Sequence, residues 1–248
     1  MTAARAGSVI CVLAAAAMAY FGATLGASLW RSRALTAASV AFEITPQDPA
    51  HRLLVVGDST AVGTGAGAPE SSVAGRLANA LPALRIDNRA VDGARTADVL
   101  QQLQREPLTH FDAILIQTGG NDILRLTDLP RLRRVTRELF DAAHAQSAHV
   151  VMMSTGDVGQ APAFPWPLDA WYSRRTREVR ALFMELAAAN DIDYVDLFDP
   201  GADNPFRREP QKYYARDGLH PSAAGYGAWF DRLMANSSIS DVFVAVAR

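Results

Sequence analysis

The sequence predicts an α/β protein: a three-layer α/β/α sandwich around a parallel central sheet, preceded by one N-terminal hydrophobic helix. Three observations carry this expectation. From His51 onward short apolar runs alternate with stretches of helical period, as in chains that build parallel sheets covered on both faces. Several of those runs are continuously apolar, the mark of strands buried on both sides. The segment from Gly7 to Trp30 carries no charge at all.

In chain order, that uncharged segment comes first. It reads GSVICVLAAAAMAYFGATLGASLW and lies between Arg5 and Arg31. A span of about 20 apolar residues crosses a hydrocarbon core, whereas the core of a cleavable signal is about 7–15 residues. Residues 1–33 are therefore expected to be an uncleaved membrane anchor, the alternative being a signal cleaved near Ala17-Met18-Ala19. The flanking arginines barely separate the two orientations. Residues 34–50, with Pro46 and Pro49, read as a linker, and 51–248 as the catalytic domain.

Within that domain Leu53–Val56, Ala113–Ile116 and Val150–Met153 read as central strands. Leu84–Ile86 and Ile192–Leu197 alternate more and belong nearer the sheet edges. Val73, Leu77 and Leu81 share one helical face, as do Leu132, Val135, Leu139 and Phe140, and again Val179, Leu182, Phe183 and Leu186. A last helix is expected to start near Pro221-Ser222, where proline suits the first turn.

Composition narrows the function. The formal charge is −2 and there is no basic block, so no nucleic-acid partner is expected. Cys11 is the single cysteine, which excludes an intramolecular disulfide and a thiolate metal cluster. No metal motif, phosphate loop or nucleotide fingerprint occurs, and no cofactor is expected. Composition leaves the oligomeric state open.

Four short blocks carry chemistry: Gly57-Asp58-Ser59, Gly93, Gly119-Gly120-Asn121-Asp122 and Asp217-Gly218-Leu219-His220. The first three follow predicted strands, where sites gather in open α/β sheets. A serine hydroxyl needs a base to take its proton, and the glycine two residues earlier lets the strand turn sharply to present Ser59. Taken alone, Asp58 and Ser59 would serve equally as a helix N-cap, and Gly93 as an ordinary turn glycine. The Asn121 amide is a neutral donor suited to a developing oxyanion, and Asp122 reads as a structural cap for the turn after it. Asp217 stands three residues before His220, spacing that lets a carboxylate hold the imidazole in one tautomer. The other four histidines lie at element boundaries, where solvated surface roles are the default. The set supplies what acyl transfer needs: nucleophile, base, orienting carboxylate and oxyanion donors.

This combination resembles the SGNH hydrolases (the GDSL esterase and lipase superfamily) over roughly residues 52 to 225, with Thr60 where leucine is usual. The resemblance implies a flavodoxin-like sandwich and a serine esterase. It implies Ser59 as nucleophile, His220 as base and Asp217 as its acid, with the Ser59 and Gly93 N–H groups and Asn121 at the oxyanion. It also tips the domain toward the outside of the cytoplasm. Gly57-x-Ser59 is a near miss to the Gly-x-Ser-x-Gly elbow of α/β-hydrolases, but position 61 is Ala and acid and histidine are adjacent here. The loop from Gly156 to Tyr172, stiffened by Pro162, Pro165 and Pro167, is rich in aromatics. Phe164, Trp166 and Trp171 are the candidate substrate-binding residues, with Tyr213 and Tyr214 opposite. A lipid acyl or O-acetyl ester is the expected substrate. An O-acyltransferase using the same site, or a membrane-tethered binding module without catalysis, are the alternatives.

Overall fold

The computed structural model describes residues 22–24, 26–105 and 110–244. Five strands form one parallel sheet: β1 (His51–Gly57), β2 (Leu84–Asn88), β3 (Ala113–Gln117), β4 (Val150–Met153) and β5 (Asp193–Val195), in the order β2-β1-β3-β4-β5. The two alternating strands do lie at the edges, and the continuously apolar ones are central.

Alternation of side chains along each strand splits the core into two layers. Leu54, Val56, Ile114, Ile116 and Met152 face one layer, filled by α4 (Thr96–Gln104), α6 (Leu129–His144) and α7 (Leu168–Ala189) through Leu103, Phe140 and Phe183. Leu53, Val55, Leu115, Val151 and Met153 face the other, filled by α3 (Val73–Ala80) and α10 (Ala223–Asn236) through Leu77, Tyr226 and Leu233. A helix layer on each face of the sheet gives the expected sandwich. A helix does start two residues after Pro221, with Ser222 as its N-cap, whose hydroxyl accepts the Gly225 N–H, but it is not the last: a further short helix spans Ile239–Val244.

The order in which the chain adds strands reverses at β1, whose neighbours are β2 on one side and β3 on the other. That makes the carboxyl ends of β1, β2 and β3 the rim of a crevice. Register places Gly57 beside Gln117, so the turns after β1 and β3 leave the sheet at the same level.

The N-terminal segments behave differently from a free tether. A helix, α1, occupies residues 26–38. Ile44 then pairs antiparallel with Ile86, exchanging two backbone hydrogen bonds of 3.2 and 2.9 Å, and Phe42 packs on the core. Residues read as a linker thus cover the exposed edge of β2, which would otherwise offer unpaired backbone groups. Among the described residues no helix is long and apolar enough to cross a membrane. Most of the uncharged run read as an anchor or signal lies outside the described residues.

Candidate active site

The turn after β1 has one sterically permitted residue at its start. A Cβ at Gly57 would sit 2.1 Å from the Gln117 carbonyl oxygen, and φ there is +157°. Buried Gln102 grips the same residue from α4: its Oε1 accepts the Gly57 N–H at 2.8 Å and its Nε2 donates to the Gly57 carbonyl at 2.9 Å. Asp58 then caps α2 (Ser59–Val62), accepting the Thr60 N–H and hydroxyl. Ser59 opens that short helix. The N-cap role thus falls to Asp58, and Ser59 is the first residue of the helix it caps.

The Asp217 carboxylate does two tasks. Its Oδ1 accepts the Leu219 and His220 N–H groups at 3.0 and 3.1 Å, folding the loop back on itself with Gly218 at φ +69°. Its Oδ2 lies 2.6 Å from His220 Nδ1, and His220 Nε2 lies 3.0 Å from Ser59 Oγ. Burial pushes the Asp217 carboxyl up, but the hydrogen bonds from the His220 ring and the two N–H groups outweigh it and hold its pKa below the ordinary value. An ionised Asp217 accepts the Nδ1 proton, which leaves Nε2 free to accept the serine hydroxyl. All three residues are buried.

These groups open into a cavity of about 540 Å³ that Gly93, Gly120 and Asn121 also line. Gly93 follows β2 in a left-handed turn, φ +76°. Asn121 sits in α5 (Gly120–Leu124), immediately after β3. Asp122 acts as a cap, but not for the turn after it. Its Oδ2 accepts the N–H and hydroxyl of Thr96, each at 2.8 Å, at the start of α4 and not in the turn that follows it. Its neighbour α4 packs close in space, which no sequence spacing reveals. Asp92 accepts the Thr64 hydroxyl at 2.6 Å and thereby ties the Gly93 turn to the segment after α2.

Of the aromatic candidates, Phe164 lines the cavity. Trp166 and Trp171 do not: they are 75 % and 46 % exposed. Trp171 belongs to α7, where one residue is a rotation of about 100°, so Tyr172 takes the cavity position and Trp171 turns out against Leu126 and Arg174. Tyr214 lines the cavity, whereas Tyr213 packs on Phe206. Burial raises the Tyr214 phenol far above its ordinary pKa, so it presents a neutral hydroxyl. Three participants were not evident from sequence. Gln102 holds the turn that leads into Ser59. Asn88 clamps α2 by donating to the Ala61 carbonyl while accepting the Ala90 N–H. The face of α1 bearing Leu29, Ser32 and Thr36 lines the cavity.

The profile of the GDSL-like Lipase/Acylhydrolase family matches residues 55–228. This chain belongs to that family. The match runs from β1 through the serine, the asparagine and the Asp-x-x-His loop into α10, and it excludes α1. A GDSL-like esterase of Mycobacterium tuberculosis is 28% identical over 191 residues, 73% of this chain. The present chain spans 60% of that relative's length. A lipolytic G-D-S-L protein from Veillonella parvula shares the fold with a TM-score of 0.59 at 16% identity, covering 74% of this chain and 96% of that one. The acetylxylan esterase Axe2 of Geobacillus stearothermophilus does so with a TM-score of 0.52 at 21% identity, covering 77% and 96%. The family is one of hydrolases acting on esters, on the SGNH sandwich predicted from the sequence.

Proposed function

We propose that this GDSL-family chain is a serine esterase that hydrolyses carboxylic esters through an acyl-enzyme. The observation that carries the reading is the unbroken hydrogen-bonded line Asp217–His220–Ser59, ending in a cavity shared with Gly93 and Asn121. Ser59 Oγ attacks the ester carbonyl while its proton passes to His220 Nε2. The negative charge on the former carbonyl oxygen is met by the Ser59 and Gly93 N–H groups and by the Asn121 amide, each such donor typically contributing about 3–4 kcal/mol. Collapse of the tetrahedral adduct breaks the bond to the alkoxide, which takes the proton from His220. Water then attacks the acyl-serine, its proton again going to Nε2, and the acid leaves with Ser59 restored.

The cavity fits an acyl group attached to a small or extended alcohol. Its wall is mostly apolar, with Val158, Phe164, Leu197, Phe206 and Trp229 contributing, and it carries polar points at Gln160, Asn204 and Tyr214. A lipid acyl ester and an O-acetyl group both fit that chemistry. The uncharged N-terminal run is read as holding the domain at a membrane, on the side away from the cytoplasm.

The test is release of p-nitrophenol from esters of acetate through palmitate by the full chain and by Ser59→Ala. Turnover that disappears in the variant, with an unchanged circular-dichroism spectrum, supports the reading. Turnover retained above a few per cent in Ser59→Ala refutes Ser59 as nucleophile.

A further inference from the structure

Helix α1 stands outside the segment that matches the family, yet two of its faces meet the site. Leu29, Ser32 and Thr36 are three and four residues apart, so they form one stripe. That stripe lines the same cavity as Ser59 and His220. The adjoining stripe, Ala27, Ser28 and Arg31, lines a second cavity of about 770 Å³ with Pro162, Arg216 and Gly218. The helix is therefore a partition between the two.

Both of its ends are fastened. Near the start, the Ser28 hydroxyl donates to the Asp217 carbonyl at 2.5 Å, joining α1 to the loop that holds the acid and histidine. Beyond the end, Ile44 pairs with Ile86 on β2. The helix thus runs from the acid–histidine loop, past the cavity mouth, to the opposite edge of the sheet. The Thr36 hydroxyl is satisfied within the helix by the Ser32 carbonyl, so it needs no further partner at the cavity wall. Leu29 is 55 % exposed. An apolar side chain left half in water at the rim of a binding cavity gains burial when an apolar ligand arrives. Trp30, one residue on and 71 % exposed, lines neither cavity and marks the outer face.

We infer that α1 is the outer wall of the substrate site and that Leu29 selects esters with an extended apolar acyl chain, which it covers as the chain leaves the cavity. This rests on the esterase reading above. A two-carbon acyl group offers Leu29 little chain to cover and a ten-carbon one much more, so selection appears as a ratio between the two.

The experiment is a comparison of the full chain with Leu29→Ala, Leu29→Trp and Trp30→Ala, using p-nitrophenyl acetate and decanoate. Leu29→Ala is expected to raise KM for decanoate about fivefold relative to acetate, with little change in the ratio of kcat values. Leu29→Trp, which fills the mouth, is expected to shift the ratio against decanoate further, and Trp30→Ala to leave it as in the parent. Identical ratios in all four proteins overturn the inference while leaving the esterase reading standing. A turnover-independent measurement separates the two readings: titration of decanoate into Ser59→Ala, with and without Leu29→Ala. Weaker decanoate binding in the double variant supports the wall even if no ester is turned over. Equal binding overturns it.

Discussion

Asp58 is the residue whose replacement should reveal a stability the protein gives up to build the turn that carries Ser59. The carboxyl is 2 % exposed, and burial raises its pKa from 3.8 to about 6 despite the hydrogen bonds from Thr60 and the nearby His220. A raised carboxyl pKa means that the folded chain holds its proton more tightly than the unfolded one. The associated stability is fully present below pH 4 and is lost as pH rises through about 6. A difference of about two pKa units corresponds to about 3 kcal/mol at neutral pH. Asp58→Asn removes the buried charge and keeps an oxygen for the Thr60 N–H and hydroxyl, which Oδ1 now accepts at 2.9 and 2.8 Å. The variant is expected to unfold at higher denaturant concentration than the parent at pH 8, by up to about 3 kcal/mol, and to match it at pH 4. For a domain of this size that is a Tm rise of about 6–12 °C at pH 8. Denaturant titrations at the two pH values decide it. An equal difference at both pH values, or destabilisation at pH 8, refutes the argument that a buried charge is what costs stability.

Asp217→Asn keeps the two backbone hydrogen bonds to Oδ1 but turns an amide toward His220 Nδ1. That favours the wrong tautomer, so kcat is expected to fall by about 10³–10⁴ with a small change in KM; an unaltered kcat would mean the imidazole is oriented by another group. Gln102→Leu leaves the buried Gly57 N–H without its acceptor, while the Gly57 carbonyl keeps the Val91 N–H, a loss of about 1–3 kcal/mol in chemical denaturation. Because the same residue sets the position of Ser59, kcat should drop along with stability, and Gln102→Glu, which keeps the acceptor, should recover the N–H bond but not the donor. A Gln102→Leu protein with parental stability and kcat would show that the clamp is dispensable.

How far the molecule was legible in advance differs from element to element. The strands of the core were readable because burial on both faces demands unbroken apolar runs such as Ala113–Ile116, and their edge neighbours because Leu84-Arg85-Ile86 alternates. Helix α4 offered only Val99, Leu100 and Leu103 as core residues, too short a pattern to stand out, and its functional residue, Gln102, is polar. The serine, asparagine and Asp-x-x-His blocks were readable because each is a local arrangement of a few residues. The aromatic loop was not, since which rings of Phe164, Trp166, Trp171 and Tyr172 point inward depends on where α7 begins. The role expected of Asp122 was near the mark in kind and wrong in partner, because Thr96 is 26 residues earlier and meets it only through packing.

By itself the sequence determined the layered α/β architecture, the family and the four blocks that carry chemistry, for these depend on periodicity and on residue types at short spacing. Tertiary structure alone decided that Asp217, His220 and Ser59 form one hydrogen-bonded line, since Ser59 and His220 are 161 residues apart. It also decided that Gln102 clamps the turn before Ser59 and that α1 lines the cavity. Contacts between distant segments depend on how helices dock on a sheet, and docking is set by the shape of the whole core and not by any local run of residues.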